Sequence, residues 1–188
     1  MSTEASRSIQ LMNLKLEAKY LQLEKSRNRL LDELEGLDDD LLNTPAAGGK
    51  WSITQHIAHL LLVDKKTMQY VQHKLAQQDK LRPPALSHSI KSLLLKLALQ
   101  SGKKYKAPPM VASVPDYAAL PALRQEWDDI RFRLEDVLTD IPAQHLDKCL
   151  FKHPNAGPLT ISQTLTFLQD HFNHHLRAIR HLKQQLVS

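Results

Sequence analysis

Four stretches of the chain repeat their apolar residues every three to four positions, the period of a helix with one buried face. In the first, from about Ser6 to Glu35, Ile9, Met12, Leu16, Leu23 and Leu30 fall on one stripe, with Tyr20 and Leu34 beside it. Charges such as Lys15, Glu17, Glu24 and Arg27 are assigned to the other faces. The second runs from Ser52 to about Gln78, its stripe defined by Ile53, Ile57, Leu60, Val71 and Leu75 and widened by Leu61, Leu62 and Val63. The third, about Tyr117 to Asp140, turns Leu123, Trp127, Ile130, Leu134 and Val137 inward. The fourth, Ile161 to about Gln185, carries Ile161, Leu165, Leu168, Phe172, Leu176 and Ile179, with Leu186 just beyond.

Start and stop signals agree with this division. Ser52-Ile53-Thr54-Gln55 and Thr160-Ile161-Ser162-Gln163 both read as capping boxes, and Gly36 is placed to end the first helix. Residues 37–51 form a connection, with the acidic run Asp38-Asp39-Asp40 and then Pro45 to Gly49. It leads into Trp51, read as an apolar anchor that packs the start of the second helix onto the core. Arg82-Pro83-Pro84 ends the second helix, a shorter helix spans roughly Ser87 to Gln100, and Ser101 to Pro115 is irregular. Residues 143–159 read as a turn-rich connection. The pattern predicts one all-α domain over residues 1–188: a four-helix bundle with a long crossover that holds a short extra helix and lets the third long helix run parallel to the second.

Composition narrows the class without choosing a function. Five glycines in 188 residues argue against much sheet. The single cysteine, Cys149, excludes an internal disulfide and fits a reducing, cytoplasmic location; its surroundings carry no nucleophile signature. The N-terminal residues do not resemble a signal peptide, and no apolar run reaches the ~20 residues that span a bilayer. The formal net charge of +5 permits weak attraction to polyanions, but the basic residues alternate with acidic ones. Lys103-Lys104-Tyr105-Lys106 is the one basic cluster, read as an exposed loop. Phosphate-binding glycine loops, Gly-x-Ser-x-Gly and Cys-x-x-Cys are absent.

The chemistry-bearing residues are histidines. His171 and His175 are one helical turn apart, on the flank of the fourth stripe, and both rings can address one ion. His174 and His181 fall on the opposite, solvated side. A catalytic metal site needs a third protein ligand. His56 and His59 are the candidates, and periodicity favours His56, which lies closer to its helix's stripe, without excluding His59.

These features together resemble a family. Trp51, Ser52, His59 and Leu60 match one motif; His153, Pro154, Gly157, Leu159 and Thr160 match a second; His171 and His175 match the third. In order and spacing they resemble the DinB/YfiT-like superfamily of metal-dependent four-helix-bundle proteins. The resemblance implies an up-down-down-up bundle and a mononuclear metal site formed by His59, His171 and His175, which sets His59 above His56. It places the loop of His153 near the metal helices. Two positions depart from the family's pattern, Ala178 where a Gln is frequent and Asp64 where a Glu is frequent.

Three imidazoles suit a divalent metal ion such as Zn²⁺, Ni²⁺ or Fe²⁺. The expected function is a metal-dependent enzyme that activates water or a low-molecular-weight thiol for attack on a small electrophilic substrate, as a hydrolase or as a thiol transferase or isomerase. Asp64 and Asp170 are candidates to orient an imidazole or accept a proton. A metal-binding or stress-response module without catalysis is the alternative, favoured by Ala178; nucleic-acid binding rests on basicity alone. Pairing into a homodimer fits a helical bundle, although no stripe demands it.

Overall fold

Four of the five described α-helices begin where a polar side chain at the N-cap can satisfy the open amides of the first turn. In the computed structural model, which describes residues 11–77, 81–84 and 113–187, the Asn13 side chain accepts from the Lys15 amide and opens α1 (Leu14–Leu34). Gly36, at φ +79°, takes the left-handed conformation that ends it. The acidic run makes one short turn, α2 (Asp39–Asn43), whose N-cap Asp38 accepts from the amides of Asp40 and Leu41. Carboxylates suit that position because the helix dipole is positive there. Ser52 caps α3 (Ile53–Leu75) in a complete capping box with Gln55. α4 (Leu120–Thr139) starts with Pro121 in its first turn, and the Thr160–Gln163 pair caps α5 (Ile161–Val187) in both directions.

The stretch expected to be a turn-rich connection is more regular than that. After a 3₁₀ turn at Ala143–His145, β1 (Cys149–His153) pairs antiparallel with β2 (Gly157–Thr160), Phe151 opposite Leu159 and His153 opposite Gly157. Gly157, at φ +76°, closes the turn, and Leu150 and Leu159 are fully buried. Pro158, opposite Lys152, is tolerated because both strands of a two-stranded ribbon are edge strands. The expected helix at Ser87–Gln100 and the Lys103–Lys106 cluster lie outside the described residues, as do the first residues of the helix expected from Ser6.

Side-chain pairings give the direction of each helix. Along α1, Lys19, Ser26 and Glu33 meet Ser162, Gln169 and Arg180 of α5, both series rising, so α1 and α5 are parallel. His56 and His59 of α3 meet His175 and His171, one series rising and the other falling, so α3 opposes α5. Tyr20, Arg27 and Asp32 of α1 meet Arg131, Asp128 and Arg124 of α4, so α4 opposes α1. The result is up-down-down-up, with α3 and α4 parallel. α3 packs against α4 and α5, and α1 against the same two helices.

Two apolar clusters occupy the two ends of the bundle. One gathers Leu16, Leu23, Met68, Leu134, Leu138 and Leu165 with the buried leucines of the hairpin. The other gathers Leu30, Leu34, Ile57, Leu123, Trp127, Phe172 and Ile179. Between them lies a polar belt. On its α1–α3–α4 side the Asp64 carboxylate accepts the Trp127 indole N–H at 2.7 Å and pairs with Arg131 at 2.8 Å. Arg131 faces Glu24 at 3.6 Å, and Glu24 pairs with Arg27, which reaches Asp128. Glu24 and Arg27 were expected on an outer face. Arg27 and Arg131 are instead buried, because each meets carboxylates that offset the loss of water.

Candidate metal centre

The other side of the belt, between α3 and α5, holds the histidines. His59 lies seven residues past the capped start of α3 and is 3% exposed. His171 and His175, successive turns of α5, face it; His175 is 9% exposed and His171 half-buried. One ligating atom from each of His59, His171 and His175 lies within 4.8 Å of the other two, the sole such group of three or more metal-binding side chains found among the described residues. The Nε2 atoms of His59 and His171 are 3.3 Å apart. Two imidazoles on a tetrahedral ion at about 2.05 Å would stand roughly 3.4 Å apart.

Electrostatics keep the rings neutral. Burial, then the neighbouring His59, His174 and His153, pulls His171 down to about 3. Burial, and after it His171, His59 and His56, drives His175 well below the ordinary histidine range. His56 is lowered to about 4, first by burial and then by His59 and His174. Near neutral pH these rings present lone pairs, the form that binds a cation. The donor set therefore fits a divalent ion: uncharged, borderline-soft nitrogens, drawn from two helices whose starts are both fixed by capping boxes.

The structure also recruits residues that the sequence set aside. His56, favoured by periodicity and then superseded by His59, reaches the site as well: its Nδ1 is 2.9 Å from Nδ1 of His175. Trp51 does more than anchor the helix. Its ring lies 5.4 Å from His56, 5.0 Å from His59 and 6.3 Å from His175, stacked on the last at 24°. A signal for this was present, since Trp51 and His56 hold the N′ and N4 positions of a capped helix, which pack together as a hydrophobic staple. His174, expected in solvent, is half-buried and sets its edge against His175; His181 is exposed as expected.

Asp64 does not orient an imidazole, because its carboxylate is taken by Trp127 and Arg131. His153 is buried in the hairpin, where its Nδ1 accepts from the amides of Asn155 and Ala156. Its ring packs on Phe167, which in turn meets His171. Burial lowers His153 to about 4. It thus holds the turn that supports α5 and approaches the site through one aromatic ring.

Comparison with known proteins gives relatives that match most of the chain. A protein named "Uncharacterized protein YuaE" from Bacillus subtilis (strain 168) is 24% identical over 162 residues, 86% of this chain and 95% of that protein. One named "Putative metal-dependent hydrolase" from Bacillus mycoides (strain KBAB4) is 27% identical over 177 residues, covering 89% and 86%. Another of that name from Bacillus cereus (strain AH820) is 26% identical over 173 residues, covering 88% and 83%. The family model of the DinB superfamily matches residues 22–179. That span runs from within α1 to within α5 and takes in the three converging histidines, and the chain belongs to the DinB superfamily.

Proposed function

We propose that the chain is a metal-dependent hydrolase whose divalent ion is held by His59, His171 and His175. The observation that carries this reading is the convergence of the three ring nitrogens within 4.8 Å. The relatives named as metal-dependent hydrolases support the reaction class. They favour water over a low-molecular-weight thiol as the attacking group.

Such an ion, when bound, acts as a Lewis acid that lowers the pKa of water toward neutrality and polarises the bond under attack. The chain's own residues prepare the place. Capped α3 fixes His59, and α5 presents His171 and His175 on one face. The Trp51 ring covers three of the imidazoles, excluding water from that side and strengthening electrostatic interactions beneath it.

The test combines metal content with turnover. Protein purified without chelators or a histidine tag should hold about one transition-metal ion per chain by elemental analysis. The His171→Ala variant should lose it and His174→Ala should keep it. Hydrolysis of a panel of small activated esters and amides should stop on chelation and return with added Zn²⁺, Ni²⁺ or Fe²⁺. Equal metal in both variants, or full activity after chelation, would reject the reading.

A further inference from the structure

His56 and His175 meet Nδ1 to Nδ1 at 2.9 Å. Two imidazole nitrogens at that distance share one proton, so one ring donates and the other accepts. For His175 to serve the ion it needs a lone pair facing His59 and His171. Its Nδ1 is engaged by His56, so Nε2 is the free ligating atom and Nδ1 carries the hydrogen.

The geometry points to His56 as a positioning residue of the metal centre: its Nδ1 accepts the Nδ1–H of His175 and so fixes the tautomer and ring plane that present Nε2 to the ion. This inference rests on the three-histidine reading above. A ligating imidazole commonly has a carboxylate, carbonyl or water behind it. Here the acceptor is a neutral imidazole, so the outer contact adds no negative charge to the centre. His56 is itself held in place, three residues before His59 on α3, with its ring edge-on to Trp51 at 78°. The bond also spans α3 and α5, the two helices that supply the ligands.

The test is a titration of the chelated protein with Co²⁺, read by its visible absorption, which reports affinity and coordination number independently of turnover. His56→Leu keeps apolar bulk and removes the acceptor. Its Co²⁺ Kd should rise about 10–100-fold, with the band positions and intensities at saturation unchanged. His56→Asn places Oδ1 where Nδ1 stood and should recover most of the loss. His56→Gln, with its acceptor one bond further out, should not. Should the Leu variant fail to fold, shown by the circular dichroism of the metal-free protein, the Asn and Gln pair decides the matter. Unchanged affinity in His56→Leu, or equal affinity in the Asn and Gln variants, would overturn the inference alone. So would an altered saturated spectrum, which makes His56 a direct ligand. A wild-type protein that takes up no Co²⁺ would overturn the three-histidine reading and this one with it.

Discussion

Two polar groups are buried at mid-height in the same bundle, and α3 contributes to both. On one side, Asp64 joins Arg131, Trp127, Glu24 and Arg27, a network in which opposites meet. On the other, His56, His59, His171 and His175 gather like with like. In the first, each charge faces a counter-charge, although buried nitrogens of Arg27 and Arg131 make no hydrogen bond and burial still raises Glu24 above the ordinary carboxylate range. The second brings together rings that repel one another once protonated, and burial keeps them neutral. Burying a polar group is costly in either place. The network offsets part of that cost with its own counter-charges, whereas the histidine group, on the function proposed above, would be completed by a cation from outside. The contrast sets a polar cluster whose charges pair within the fold beside one whose neutral lone pairs could hold a cation.

The comparison is broken most forcefully at Arg131. Arg131→Met removes the cation beside Asp64 while nearly keeping the volume. Stranding a buried charge costs on the order of 3–5 kcal/mol, read as a lower urea midpoint. Metal content should be unaffected in the molecules that remain folded. A loss below about 1 kcal/mol would show that Arg131 and Asp64 are coupled no more strongly than a surface pair. Next in size is the response to the ion. Zn²⁺ at a hundred times its Kd should stabilise the wild type by about 2.7 kcal/mol, seen as a raised melting temperature. His171→Ala should gain little, and an equal gain would remove the distinction between the two sides.

The smallest effect sharpens the comparison at its margin, in the hairpin. His153 is held at about 4 in the folded chain against an ordinary 6.5. Above about 7 both states leave it neutral and it adds no pH dependence. As pH falls from 6.5 toward 4 the unfolded chain takes up a proton that the folded chain refuses, so stability falls. His153→Asn keeps an acceptor for the amides of Asn155 and Ala156 and removes the titration. The metal-free variant should therefore lose less stability than the wild type between pH 7 and 4. Parallel profiles would assign the acid sensitivity to other residues.

The helices were legible in the sequence because period and capping agreed: Ile57, Leu134 and Phe172 all point where their stripes require. The choice between His56 and His59 was harder, since the wide apolar run beside them leaves both on the buried side. Both do reach the site. The hairpin was hidden because nine strand residues around Pro154, Gly157 and Pro158 carry too little alternation to outweigh their turn signals. Glu24 and Arg27 were hidden for another reason. A charge beside an apolar stripe reads as solvated until its partner is known, and the partners here lie across the bundle: Asp128, 101 residues from Arg27, and Arg131, 107 residues from Glu24.

The placement of the two tryptophans has an optical consequence. Trp127 is fully buried, with its indole N–H fixed on a carboxylate, so its emission should be blue and steady while the fold holds. Trp51 sits against three imidazoles, and its quantum yield should follow whatever occupies them. The chain thus carries two indole fluorophores, one to report the integrity of the bundle and the other whatever occupies the histidines.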